Sequence, residues 1–247
     1  MPIKLEKLSN FGRRPIINNA DYYNTDWIPA EEDYFLCPAN DITVYNHPKF
    51  EGGSQAIGKT CLEVMQILYP NRVFNNAMEW ACGPGYIGFL FLANGICNNL
   101  TLSDIYRPAL RAVEKTIENL PEKYQGHVDW FHIRNPADIP VEKQFDFIIG
   151  SPPHWDVTDD KFVNKIFFND RRSADPDWLV HEAFFREIKK NLAPDGIILL
   201  QEQAYACGPD TFQEMVTAAG LKITDCYWEP DDLQNNLHCF YLEVMHA

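Results

Sequence analysis

Glu79-Trp80-Ala81-Cys82-Gly83-Pro84-Gly85-Tyr86-Ile87-Gly88 decides how the rest of the chain reads. The segment joins an apolar run, expected to be a strand over 77–82, to a second apolar run expected to be a helix over 86–93. Glycine lets a backbone turn tightly and approach a ligand with no Cβ in the way. Gly83, Gly85 and Gly88 satisfy G-x-G-x-x-G, and Asp104 follows about 20 residues later at the end of the next strand, where an acid meets ribose hydroxyls. The spacing points to a nucleoside ligand at a strand-to-helix turn.

Working outward, further strands are expected over 100–103, 128–133, 145–150, 197–201, 222–228 and 238–244, with helices over 109–120, 178–192 and 209–219 between them. Strands that alternate with helices imply right-handed βαβ units, a mainly parallel sheet and a three-layer α/β domain. The last two strands have no helical pattern between them, so one is expected to run antiparallel. Upstream, Ser54 caps an expected helix whose apolar positions Ile57, Cys61, Val64, Met65 and Leu68 recur at helical spacing, closed by Pro70. Residues 1–53 hold Pro, Asn, Asp and large aromatics (Tyr22, Tyr23, Trp27, Tyr34, Phe35, Tyr45) with no sustained period. They read as an irregular extension packed on a domain of residues 54–247.

At 247 residues the chain suits one full-sized domain, and 46% hydrophobic with 23% charged residues excludes wholesale disorder and fibrous architectures. The start MPIKLEKLSNFGRR lacks the apolar run of a secretory signal, and no stretch reaches the length of a membrane span, so a cytoplasmic protein with no membrane partner is expected. Seven cysteines without a C-x-x-C pair read as buried thiols in a reducing compartment. The seven histidines show no metal-ligand spacing, so no metal is expected. A formal charge of −14 repels phosphate backbones and disfavours nucleic acid as a partner. Nothing in the sequence specifies an oligomeric state.

Glu79-x-Ala81-Cys82-Gly83-x-Gly85 resembles the acidic-x-Gly-x-Gly-x-Gly turn of class I S-adenosylmethionine-dependent methyltransferases, with Ala81 in place of the first glycine. The resemblance implies the Rossmann-like fold of that class, with a mostly parallel seven-stranded sheet, and S-adenosyl-L-methionine as cofactor. It further implies that Gly83 and Gly85 pass the methionine portion and that Asp104 holds the ribose. Glu79 and Ala81 belong to the same cofactor turn; an acid there suits a cationic ligand and repels a pyrophosphate. The family often places an acid after the third strand to meet the adenine amino group. Asn135 stands there, with Asp138 as the alternative, and an Asx-Pro turn without a ligand explains the same residues.

Phe145 to Gly150 ends in Ser151-Pro152-Pro153-His154-Trp155. Two prolines fix φ and lack N–H groups, so this loop leaves the sheet rigidly at the edge where ligands bind in open α/β sheets. It resembles the [Asp/Asn/Ser]-Pro-Pro-[aromatic] loop of methyltransferases that modify planar nitrogens, among them the release-factor glutamine and amino-group nucleobase types. An amide or exocyclic amine is a poor nucleophile because its lone pair is delocalised. Accepting its hydrogens on Ser151 and on the Pro152 carbonyl would position the nitrogen, and a flat neighbour would align it with the methyl carbon. His154 replaces the usual aromatic, and either stacks or takes a proton. Trp155, Tyr22, Tyr23 and Trp27 are further candidates to cover the acceptor, the last three as part of a lid. Gln201-Glu202-Gln203 fits a pocket lining or a solvated strand exit, and Glu229, Asp231 and Asp232 either attract a cationic amine substrate or form a solvated acidic loop.

The expected function is methyl transfer to a nitrogen of a small molecule or protein side chain. RNA or DNA nucleobase methylation, a nicotinamide-dependent oxidoreductase and a catalytically silent cofactor-binding subunit are the alternatives.

Overall fold

The structure, a computed structural model, describes residues 30, 33–48, 50, 55–133, 136–156, 174–229 and 239–247. In chain order the described elements are β1 (Phe35–Ala39), β2 (Ile42–Asn46), α1 (Gln55–Leu68), β3 (Phe74–Trp80), α2 (Tyr86–Ala93), β4 (Cys97–Asp104), α3 (Arg107–Glu118) and β5 (Val128–His132). They continue with β6 (Phe145–Gly150), α4 (Leu179–Ile188), β7 (Leu192–Gln203), α5 (Pro209–Ala218), β8 (Leu221–Trp228) and β9 (Cys239–His246). Seven strands form one sheet in the order β5-β4-β3-β6-β7-β9-β8. β9 alone runs opposite to the other six strands, which fulfils the expected Rossmann-like sheet with one reversed strand.

Side chains alternate along each central strand between two cores, one on each face of the sheet. Ala77, Phe147, Ile149, Ile197 and Leu199 pack on one side with Phe89 and Phe91 of α2 and Cys61 and Met65 of α1. Met78, Trp80, Ile148, Ile198 and Leu200 pack on the other with Phe184, Phe185 and Ile188 of α4 and Phe212 and Val216 of α5. Both faces are dry, which is why the parallel strands read as continuous apolar runs. Trp80 stacks on Phe184 at 3.8 Å between centroids and fixes α4 against the end of β3. Truncating such a ring to Ala costs about 3 to 5 kcal/mol.

Within the expected irregular extension, residues 35–46 instead form a two-stranded antiparallel hairpin. Ala39 pairs with Ile42 around a two-residue turn, and Asn40 takes the left-handed conformation that such turns require. Cys37, Ala39, Ile42 and Val44 bury one face against the α1 and α2 side of the core. Pro38 hides this hairpin from a propensity argument, since proline within a run argues against a strand. Ser54 lies outside the described residues, as do Tyr22, Tyr23 and Trp27. All seven cysteines are free thiols, six of them buried. Among the described residues, no helix is long and apolar enough to cross a membrane.

Candidate functional site

Strand order reverses between β4 and β6 on either side of β3, the switch point at which open α/β sheets bind ligands beyond the carboxyl ends of their strands. Trp80 and Gly150 are register partners at the ends of β3 and β6, so the glycine turn and the Ser-Pro-Pro-His loop leave the sheet side by side.

The turn is built from the strand end upward. Ala81, Gly83 and Gly85 all have positive φ, at 53°, 51° and 80°. A Cβ added at Gly83 would meet nothing within 4 Å, so this backbone faces open space that a ligand can enter. At Gly88 the same addition would come within 2.8 Å of Glu79 Oε2 and of Leu100, which makes that glycine the close contact between α2 and the sheet. Asp104 ties the turn to the next strand: Oδ2 accepts from Gly83 N at 2.7 Å and Oδ1 from Tyr106 N at 2.6 Å. A carboxylate offers about four lone-pair sites, so ribose hydroxyls can still be accepted. Glu79 is buried beneath the turn with Oε2 accepting from Gly88 N at 2.7 Å. Burial pushes its pKa up to about 8, against the lowering effect of the Gly88 N–H and with a further push from Asp104.

At the end of β6, Ser151 Oγ lies 3.3 Å from His154 Nε2 and 3.1 Å from Gln201 Oε1. His154 Nδ1 stands 3.2 Å from Glu202 Oε2, and the other Glu202 oxygen is 3.0 Å from His181 Nε2. His181 Nδ1 is 2.6 Å from Asp175 Oδ2. Burial alone would favour neutral His181, but Glu202 and then Asp175 outweigh it and carry its pKa up to about 9. Burial would likewise raise Glu202, yet His181 and His154 hold it below the ordinary carboxylate value. Gln201 Nε2 donates to Glu229 Oε1 at 2.7 Å and to Tyr241 Oη at 3.0 Å, which turns its carbonyl oxygen toward Ser151.

Ser151, Pro152, His154 and Trp155 follow the end of β6 directly, and Ala81, Gly83 and Gly85 follow the end of its register partner β3, where Asp104 reaches Gly83. Trp155 is bridged to Ala174, and its carbonyl accepts from Asp175 N at 2.7 Å, joining the loop to the segment before α4. Asn135 lies outside the described residues, while its alternative Asp138 is exposed in a short 3-10 turn. Two expectations are corrected. Gln201 and Glu202 are buried, so they do not form a solvated strand exit, and Glu229 is buried because it accepts from Gln201 rather than facing water. Asp231 and Asp232 lie outside the described residues. His181 and Asp175 had no motif to announce them; the available signal was one histidine among the apolar positions of α4. A separate polar groove of about 380 Å3, lined by Asn76, Asn99, Asp129 and Lys143 among others, sits at the amino ends of the strands and shares no residue with this site.

Residues 39–219 match the methyltransferase small domain family. The chain belongs to that family. The matched span takes in β2, the glycine turn, the Ser-Pro-Pro-His loop and the network behind it. Over 119 residues the chain is 26% identical to the ribosomal RNA small subunit methyltransferase C of Haemophilus influenzae (strain 86-028NP), covering 48% of this chain and 34% of that protein. The protein of the same name from Haemophilus ducreyi (strain 35000HP / ATCC 700724) is 25% identical over 119 residues, with the same coverage. The match thus spans roughly a third of the length of these relatives. Among solved structures, the glycopeptide N-methyltransferase MtfA has a TM-score of 0.56 at 13% identity, covering 79% of this chain and 92% of its own. A S-adenosylmethionine-dependent methyltransferase from Clostridium acetobutylicum ATCC 824 has a TM-score of 0.53 at 11% identity, covering 81% and 94%. These similarities establish the shared fold.

Proposed function

We propose that the chain is an S-adenosylmethionine-dependent methyltransferase that places the methyl group on a nitrogen of a small molecule or protein side chain. The observation that carries this is the pairing of Trp80 with Gly150, which sets an open glycine turn next to a rigid Ser-Pro-Pro-His exit. Family membership supports methyl transfer over hydride transfer, and solved MtfA structures with S-adenosylmethionine and S-adenosylhomocysteine share the fold. The residues present fit the cofactor: Gly83 leaves room for its approach, Asp104 offers acceptors to ribose, and Glu79 gains by ionising when a cation comes near.

When bound, S-adenosylmethionine supplies an electrophilic methyl on a sulfonium. The chain's own groups do the rest. Ser151 Oγ and the Pro152 carbonyl accept the acceptor's N–H hydrogens and hold its nitrogen in line, and the Pro-Pro backbone keeps both in place without reorganisation. His154, 3.3 Å from Ser151 Oγ, stands beside that nitrogen.

Titration calorimetry with S-adenosylhomocysteine is expected to show binding to the wild-type chain and a loss of about 1 to 3 kcal/mol for Asp104→Ala, from a buried ribose left without its acceptor. Unchanged affinity in a folded variant overturns the cofactor assignment. Ser151→Ala is expected to slow turnover while leaving cofactor affinity intact. Product NMR locates the new methyl: on oxygen or carbon, it overturns the nitrogen assignment, and no product with any acceptor favours a silent subunit.

A second reading, methylation of a nucleobase amino group in RNA, is favoured by the relatives named for ribosomal RNA. A planar exocyclic amine suits the Ser151 and Pro152 acceptors equally well; the charge of −14 is what stands against it.

A further inference from the structure

Behind Ser151 a line of four ionisable groups runs from the loop into the interior: His154, Glu202, His181 and Asp175. The His154 side chain is 15% exposed and the other three are 0% exposed. Rings of Trp80, Trp178 and Phe212 surround His181, with centroids at 5.6, 5.4 and 5.0 Å, so water does not compete for its nitrogens. Buried charges of this kind are often no more stabilising than apolar residues of the same volume. Packing alone therefore gives no reason for them.

The distances fix where the protons sit. Both His181 nitrogens face carboxylate oxygens, and an unprotonated nitrogen would set lone pair against lone pair in a dry site, so both carry hydrogen. Asp175 is held in turn by the backbone N–H groups of Val180 and His181, at 2.8 and 3.1 Å. Glu202, anchored by His181 through Oε1, presents Oε2 to His154 Nδ1. That nitrogen must therefore be the protonated one in neutral His154. Its Nε2 lone pair is left pointing at Ser151, at the end of the line that reaches solvent.

We propose that His154 is the base that takes the acceptor's proton, and that Glu202, His181 and Asp175 are positioning residues that keep it in the tautomer able to do so. This rests on the reading that the acceptor nitrogen sits beside Ser151. The nitrogen lone pair forms the bond to the methyl carbon, and the carbon–sulfur pair remains on sulfur. The N–H pair returns to nitrogen as the proton passes to His154 Nε2. His154 then donates through Nε2 to Ser151 Oγ, and the Ser151 hydroxyl turns to Gln201 Oε1, 3.1 Å away. Gln201 thus gives the hydroxyl its second resting position. The proton then leaves Nε2 for water, to which the His154 side chain is 15% exposed. Other ionisable groups nearby are engaged elsewhere: Glu229 and Tyr241 meet the Gln201 amide, and Asp156 accepts from Asp177 N at 2.7 Å.

Histidine side-chain NMR of the 15N-labelled full chain, without cofactor or acceptor, tests the line directly. The expected spectrum has neutral His154 in its Nδ1–H form and His181 doubly protonated at pH 8. His154 as the Nε2–H tautomer, or His181 titrating at an ordinary midpoint of about 6.5, overturns the proposal whatever the acceptor is. In Glu202→Gln, the Nδ1–H form of His154 is expected to give way in part to the Nε2–H form, and turnover at neutral pH to drop about a hundredfold. Affinity for S-adenosylhomocysteine should stay within about twofold of wild type. Turnover of Glu202→Gln equal to wild type despite a changed tautomer overturns the base role while leaving nitrogen methylation standing; a methyl found off nitrogen removes the latter while the NMR result survives. Should Glu202→Gln fail to fold, the wild-type spectrum decides the tautomer, and His154→Phe decides the base: retained turnover overturns it.

Discussion

Glu79 is a carboxylic acid sealed under the glycine turn, and its burial decides its charge. Its folded pKa of about 8 lies above the ordinary 4.5, chiefly through burial, so the folded state keeps a proton that the unfolded chain releases. The stabilisation is fully present below pH 4.5 and is lost as pH rises toward and through 8. Glu79→Gln keeps an oxygen for the Gly88 N–H and removes the titration. Urea unfolding of this variant is expected to show a flatter decline in stability over that window than wild type, and an identical slope would discard the assignment. The same logic predicts proton release when the cationic cofactor binds. Calorimetry in buffers of different ionisation enthalpy should register it in wild type and lose it in Glu79→Gln.

Elements differed in how openly the sequence declared them. β3, β4 and β6 were legible because strands buried on both faces leave apolar runs between Gly, Pro and Asp, and the glycine turn and Ser151-Pro152-Pro153-His154 mark their carboxyl ends. The β1–β2 hairpin was hidden by Pro38. The line behind His154 was hidden because Asp175, His181 and Glu202 come from a loop, a helix and a strand and share no spacing; they meet only once α4 packs on β7. Beside the histidine within α4, the local hint was Glu202, separated by one residue from the apolar run 197–200, since such a group is seldom buried without a partner. His181, with its folded pKa raised from 6.5 to about 9, contributes stability that is complete below pH 6.5 and disappears as pH rises through 9. Glu202, held below 4.5, contributes stability present above 4.5 that is lost on acidification. His181→Phe leaves Glu202 and Asp175 buried without their cation and is expected to cost about 3 to 5 kcal/mol near neutrality. Its deficit relative to wild type should shrink as pH rises from about 6.5 through 9, and Glu79, which titrates in both proteins, cancels from the difference. A deficit constant across these values, read from urea midpoints, would show that the imidazole acts through volume alone.

At the scale of the whole molecule, the acceptor has to approach a chain of charge −14. Exposed charges are felt over a Debye length of about 8 Å at physiological salt, so the field selects at the approach rather than inside the site. A neutral acceptor is expected to give kcat/KM that is flat with ionic strength, and a cationic amine one that falls as salt screens the attraction. RNA binding proceeds by counterion release from phosphates met by Lys and Arg, and only 21 such residues stand here against 35 acids. A ribosomal RNA fragment is therefore expected to bind this chain weakly at about 0.15 M salt and to be a slow acceptor. Filter binding across a salt series, with methyl incorporation measured in parallel, checks this. Tight RNA binding that weakens steeply as salt rises would reveal a local basic surface strong enough to override the net charge. In that case the second reading, a nucleobase amine as acceptor, would be the one favoured.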